Sequence, residues 1–406
     1  MNNEILMQNS RKPEILAPAG DLEAVRTALR FGADAVYLGG PFMQLRSSSA
    51  GFDEARLAQA SELIHSAGRR MYVTVNSFAN NSEIPMLGEY ARFLLDTGAD
   101  AAIVSDIGAA AEIKEKAPDL DVHISTQANC MNYRAAKVYY DLGASRIVLA
   151  RELSLKQIAE IRENTPKDLE LEGFVHGAMC MAYSGRCMLS AYLAGRSGNR
   201  GECAQTCRWN YYLMEEKRPG EFFKIEEDEN GMAILSSREM CCVDILQQMA
   251  DAGICSFKIE GRMRTPFYIG TVVNAYRMLV DGKISPQQAR SELETTSHRP
   301  FCTGFYEGKP AETAPDTSGY VRDYLFVATA LSDSADGRLK IETRNPFAVG
   351  DMLEALSPGR IPRAFAVESI EDADGQSMQR SAVPMRILAI NAPDGILKDD
   401  ILRRHV

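Results

Sequence analysis

Four cysteines, Cys180, Cys187, Cys203 and Cys207, fall within 28 positions, among Gly177, Gly185, Gly195, Gly198 and Gly201. Such a set can serve as disulfides, metal ligands or a nucleophile, or it can be coincidence. The stretch lacks the periodicity of a packed helix or strand, so four buried core thiols are a poor account of it. Four thiolates complete a tetrahedral zinc site or hold an iron–sulfur cluster. Glycine allows the close wrapping that such a centre needs. The spacing departs from the paired CxxC of a zinc ribbon, which brings a cluster into contention and leaves zinc open. Cys130, Cys255 and Cys302 read as core residues. Cys241 and Cys242 lie in "REMCCVDILQQMADAG", which reads as an amphipathic helix with Cys242 in phase with Leu246 and Met249. Cys241 is a fifth ligand candidate.

The elements that must position these thiols follow a repeated pattern. A helical stretch ends at a glycine and a short apolar run follows, as in "RFGADAVYLGG", "DTGADAAIVSD", "DLGASRIVLAR" and "DAGICSFKIEG". Glycine accepts the left-handed backbone past a helix end. Continuous apolar runs suit parallel strands covered on both faces. Eight strands are expected: Glu14–Ala17, Ala35–Leu38, Met71–Val75, Ala101–Val104, Val122–Ser125, Arg146–Leu149, Leu171–Val175 and Ser256–Ile259. Asp21 and Ser154 are placed as helix caps, and Pro266 suits a first helical turn. The alternation predicts an α/β fold, a (β/α)8 TIM-like barrel, with a doubly wound open sheet as the alternative. The barrel would span residues 1–295, with a cysteine-rich insertion of about 178–237 after strand seven. A linker at 296–317 and a small C-terminal all-β domain, barrel or sandwich, at 318–406 follow. The latter shows alternating segments separated by "DG" and "PG" turns.

In a barrel, the loops after the strands share one face, where the chemistry sits. That places Arg46, Asn76, Asp106, Gln127, Arg151, His176, Glu260 and Arg262 around one mouth. Each alone could be a cap, a salt bridge or a turn contact. The composition, 45% hydrophobic and 25% charged, is that of a folded soluble chain. No apolar run approaches the length of a membrane span, and no basic-then-apolar leader opens the chain. A cytoplasmic location is expected, where thiols stay reduced and disulfides are disfavoured. A net charge of -10 argues against a chain coated for nucleic acid, without excluding a local basic face.

The segment "EGFVHGAMCMAYSGRCMLS" resembles the signature of the collagenase-like peptidase family U32: Glu-x-Phe, then Gly-small-aliphatic-Cys, then Gly-x-Cys-x-aliphatic-Ser. Glu172, Phe174, Gly177, Ala178, Met179, Cys180, Gly185, Cys187, Leu189 and Ser190 match it. The likeness continues through "LAPAGDLEAVRTALRFGADAVYLG", "GECAQTCRW", "FKIEGRMR" and "HRPFCTGFYEG". The family name implies proteolysis. Its better understood branches imply oxygen-independent hydroxylation: 5-hydroxyuridine at the tRNA wobble position, 5-hydroxycytidine in 23S ribosomal RNA, or a ubiquinone precursor. The resemblance, strongest to the tRNA branch, implies a [4Fe–4S] cluster on Cys180, Cys187, Cys203 and Cys207, and prephenate as the implied donor.

On that reading Arg46, Arg151 and Arg262 would bind a small dicarboxylate through their planar donor forks. Asn76, Asp106 and Gln127 would line the substrate site, and Glu260 or His176 would move protons. The insertion carries Arg186, Arg196, Arg200, Arg208, Lys217 and Arg218 against Glu202, Glu215 and Glu216, a basic rim on an acidic body. Trp209 could stack a base of an anticodon loop or pack over the cluster. A peptidase remains the second reading, although neither HExxH nor GxSxG occurs. A zinc-stabilised, non-catalytic binding module is the third. Oligomeric state and any partner protein are left open.

Overall fold

The computed structural model describes residues 12–45, 51–180, 183–187, 189–196, 198, 202–206, 213–214, 222–223, 227–228, 231–232, 238–308 and 320–406. Seven parallel strands lead it: β1 (Glu14–Pro18), β2 (Ala35–Gly39), β3 (Arg70–Val75), β4 (Ala101–Val104), β5 (Asp121–Ile124), β6 (Ala144–Val148) and β7 (Glu170–Ala178). The strand Ser256–Ile259 pairs with both β1 and β7 and closes the ring. The architecture is therefore an eight-stranded parallel barrel, as the alternation predicts, and not an open sheet. All eight strands lie where the apolar runs place them. Their outward residues pack under the helices in one continuous core that includes Ile15, Val36, Val73, Val104 and Phe257.

The local signals behave as their chemistry dictates. Asp21 accepts from the Ala24 amide at 2.8 Å and caps the helix Leu22–Arg30. Ser154 and Gln157 form a reciprocal capping box ahead of Leu155–Glu163. Pro266 opens the helix Pro266–Val280 behind the Thr265 cap. Among the described residues no helix is long and apolar enough to cross a membrane.

Three features depart from the expectation. β7 runs three residues past Val175, and its end pairs antiparallel with a short strand, Glu239–Cys241. Cys241 thus lies in a strand, with Cys242 directly after it, and the helix starts only at Leu246. Met240, Cys241 and Cys242 are all fully enclosed. Burial of consecutive residues is what a strand covered on both faces requires and a one-sided helix cannot give. Second, the stretch read as a linker begins as part of the barrel: Phe301–Cys302 pairs parallel with Glu239–Cys241, and the Tyr306 hydroxyl donates to the Phe174 carbonyl at 2.9 Å. Third, Cys255 is exposed and Cys302 half-buried, so of the three cysteines read as core only Cys130 is enclosed.

The C-terminal unit is an antiparallel all-β domain with an eight-stranded sheet built around Tyr324–Ala330, Arg338–Thr343, Met352–Leu356, Ile387–Asn391 and Ile401–His405. It has its own core, with Val327, Ile341, Phe347 and Leu388. Leu356 and Ile401 reach instead into the barrel's core.

Candidate active site

The barrel interior is charged, which parallel strands seldom are. Glu14, Arg146, Glu172, Ser256 and Lys258 all point inward from β1, β6, β7 and the closing strand, and each is less than a tenth exposed. Arg146 donates to Glu14 at 2.7 Å and to Glu172 at 2.9 Å. Ser256 donates to Glu14 at 2.9 Å, as does the Tyr72 hydroxyl. Arg70 also pairs with Glu14. Burial alone would raise the Glu14 carboxyl, but the Arg146 and Arg70 charges outweigh it and hold it below the usual carboxylate range.

Above this layer, Lys258 donates to Glu172 at 2.7 Å. Its ammonium lies 4.4 Å from the centre of the Tyr37 ring and 5.6 Å from that of Phe174. Burial pushes Lys258 below the usual lysine range, with Glu172 offsetting part of the shift. The Tyr37 hydroxyl donates to the Ile259 carbonyl at 3.0 Å. Its phenol is pushed up by burial and by the charge of Glu260, while Arg262 and Arg151 oppose the shift. Tyr37 therefore marks where the charges of the mouth and of the interior meet.

Two predicted arginines frame that point. Arg262 is 8% exposed and donates to Gln44 Oε1 and Thr74 Oγ1, both at 3.0 Å. Gly39 makes room for it, since a Cβ there would stand 2.4 Å from its guanidinium and 1.9 Å from Gln44 Oε1. Arg151 lies 4.1 Å over the Phe174 ring and donates to the Ala178 carbonyl at 3.0 Å. Among the described residues its Nε is buried without a hydrogen-bond partner. Around the same face, Ser105 Oγ, Gln127 Oε1 and Asn129 Oδ1 are likewise buried and find no partner among the described residues, although buried polar atoms are normally satisfied. Orphaned polar atoms after β4, β5 and β6 are what a polar ligand would satisfy.

The other predicted residues take different places. Asp106 caps the helix Ile107–Lys116, accepting from the amides of Gly108 and Ala109 at 2.8 and 3.1 Å. The local reading accounts for it fully. Asn76 accepts from the Leu45 amide at 3.4 Å and holds the loop after β2. Arg46, in that loop, lies outside the described residues, as do Cys207 and Trp209. Glu260 is half-buried beside the mouth. Its amide donates to the His176 carbonyl and its carbonyl accepts from Tyr268. His176 itself is 1% exposed and sits between Tyr268, Tyr276 and Phe301, on the helix side of the barrel wall. The register slips between Lys258 and Ile259 where they meet Phe174 and His176, which is how the ring leaves the interior face. Burial, with Arg264 and His298 nearby, lowers His176 to about 3. Burial therefore favours its neutral form. Arg264 beside it pairs with Glu239 at 2.6 Å.

Three of the four cysteine ligand candidates are described. Cys180 and Cys203 are exposed and Cys187 is half-buried. The Leu189 amide donates to Cys187 Sγ at 3.3 Å, and Ser190 Oγ donates to Cys203 Sγ at 3.8 Å. Thiols in a glycine-rich loop, reached by backbone and hydroxyl donors, have the ligand chemistry that a metal or cluster uses. By contrast burial pushes the Cys130 and Cys241 thiols up to about 11. Cys241 faces the Tyr276 side and is a packed thiol. The donor chemistry of the loop thus fits a metal or cluster, although among the described residues no three His, Cys, Asp or Glu lie together as a metal site.

Lys258 and Glu172 escaped the sequence reading as site residues, although Glu172 belongs to the quoted signature. They stand 86 positions apart, and only barrel closure brings them together. A lysine and a glutamate inside otherwise apolar strand runs were the available signal.

Comparison with known proteins bears on the same features. Residues 20–315 match the model of peptidase family U32, and residues 322–403 that of the family's C-terminal domain. The chain is 34% identical over 405 residues to tRNA hydroxylation protein P1 of Bacillus subtilis, covering 97% of this chain and 95% of that one. It is 33% identical to tRNA hydroxylation protein P of Escherichia coli, covering 90% and 91%. A 23S rRNA 5-hydroxycytidine synthase of Escherichia coli is 36% identical over 86% of this chain and 53% of its own length. With both family models matched across a barrel and an all-β domain, the chain belongs to peptidase family U32.

Proposed function

We propose that this protein is an RNA-modifying enzyme that hydroxylates a pyrimidine, with uridine at the tRNA wobble position as its substrate. The observation that carries the reading is end-to-end similarity to proteins named for tRNA hydroxylation, in a chain whose barrel mouth gathers unsatisfied polar atoms. A wobble base already lies in a single-stranded loop, so its presentation costs less than extrusion from a duplex.

Arg151 and Arg262 would anchor the carboxylates of a small donor such as prephenate, each already held in place by packing or hydrogen bonds. Lys258, kept dry and paired with Glu172, would supply a third cation below them and hold a proton at its ammonium. Glu260 would move a proton at the mouth. Cys180, Cys187, Cys203 and Cys207 would hold a [4Fe–4S] cluster, with zinc the lesser alternative. When bound, the cluster would supply one-electron or Lewis-acid chemistry without molecular oxygen.

Anaerobic purification with iron, sulfide and zinc analysis tests the metal. About four iron and four sulfide per chain is the expected result, and one zinc would contradict it. Expression in a bacterial strain that makes no 5-hydroxyuridine tests the reaction. Mass spectrometry of tRNA nucleosides should then detect the modified base. Absence of the base, together with gelatin cleavage by the purified protein, would favour the peptidase.

A further inference from the structure

The turn between Cys180 and Cys187 presents an aromatic ring and a cation to solvent on a backbone held from below. Tyr183 is 51% exposed. Its carbonyl accepts from Asn129 Nδ2 at 3.2 Å. Ser184, next to it, is buried in a left-handed conformation at φ 41°, ψ 38°, uncommon for any residue but glycine, asparagine or aspartate. Both its amide and its hydroxyl donate to the Glu152 carboxylate, at 2.6 and 2.5 Å. Arg186 donates through Nε to the Gln127 carbonyl at 3.0 Å, and its guanidinium stands 5.2 Å from the Phe78 ring centre. Four residues of the mouth loops, Phe78, Gln127, Asn129 and Glu152, thus fix a turn whose Tyr183 side chain faces solvent.

We propose that Tyr183 and Arg186 form a docking platform for one unpaired RNA nucleotide, with the base stacked on Tyr183 and its phosphate against Arg186. The proposal rests on the RNA reading given above. A π-face accepts any base, and an arginine suits a phosphate. Two of the residues that anchor the turn, Gln127 and Asn129, belong to the loop after β5, which sets the platform beside the barrel mouth. A fixed platform also spares the ordering that a mobile aromatic would require on binding.

The test is fluorescence anisotropy of an anticodon stem–loop hairpin with unmodified wobble uridine, titrated with purified full-length protein. The same sequence as a closed duplex is the control. Tyr183→Leu should weaken hairpin binding roughly tenfold, while Tyr183→Trp keeps it. Both replace a half-exposed ring, and thermal melting confirms that each is folded. Arg186→Ala should reduce the slope of log affinity against log salt by about 0.7. If wild type binds the hairpin and Tyr183→Leu binds equally well, the platform is wrong while the RNA reading stands. If wild type binds hairpin and duplex no better than unrelated RNA, both fail. Displacement of the hairpin by gelatin peptides would assign the platform to a polypeptide and overturn the proposal.

Discussion

Arg146 touches Glu14, Glu170 and Glu172 while 1% exposed, and Lys258 depends on Glu172. Breaking a buried pair by removing one partner strands the other charge and costs about 3–5 kcal/mol. Arg146→Met should therefore destabilise the protein more than Lys258→Met, because it takes a cation from Glu14, Glu170 and Glu172 at once where Lys258→Met takes one from Glu172 alone. Urea titration of both variants reads the order, and the reverse order would contradict the network. His176 gives a pH signature. Its folded value of about 3 lies below the ordinary histidine value of about 6.5, so the unfolded chain binds the extra proton between them. Stability from the neutral ring is complete above about pH 6.5 and is lost as pH falls toward 3. Between pH 6.5 and 5 this amounts to about 2 kcal/mol. His176→Gln should shrink the acid loss by that much. Some acid loss should persist, since His123 is also buried and lowered. An unchanged acid slope in His176→Gln would mean that the ring is protonated in place.

At the scale of elements, the end of β7 sets the geometry of the mouth. Gly177 has φ 108°, and a Cβ there would stand 2.8 Å from the Glu260 carbonyl oxygen and 2.9 Å from Glu260 Cβ. Gly177→Ala should cost about 1–3 kcal/mol in backbone strain and lower RNA modification further by displacing Glu260. Gly39→Ala should separate the two effects. Its Cβ meets side-chain atoms of Gln44 and Arg262, so modification should fall at least tenfold with little change in melting temperature. Equal activity of Gly39→Ala and wild type would remove Arg262 from the site. The eight strands were legible because glycine stops and short apolar runs are local signals. The Asp106 cap was legible in the same way, yet its position past a strand end suggested a substrate contact. The Lys258–Glu172 pair was not legible, because nothing local tells which strand faces meet across a closed barrel. Nor was the strand at Cys241, since "MCCVDIL" satisfies a buried strand and a helix face alike.

The whole molecule is joined by a seam that is partly apolar and partly ionic. Arg403, 1% exposed on the last strand, donates to Glu354 of its own sheet at 2.8 Å and to Thr295 of the barrel at 2.7 Å, and pairs with Glu292 at 3.1 Å. Asp400, fully buried, pairs with Arg30 at 2.6 Å. Such a seam couples the two units, so urea should unfold the chain in one transition seen equally by fluorescence and circular dichroism. Two separated transitions would show that the C-terminal domain folds independently of the barrel.

If the barrel mouth modifies RNA through its own charged residues, 5-hydroxyuridine in tRNA of a strain that makes none, expressing either wild type or Arg151→Ala, reads it. The modified nucleoside should appear with wild type and fall at least tenfold with Arg151→Ala at equal protein level. Equal amounts from the two proteins, or none from either, would refute that role.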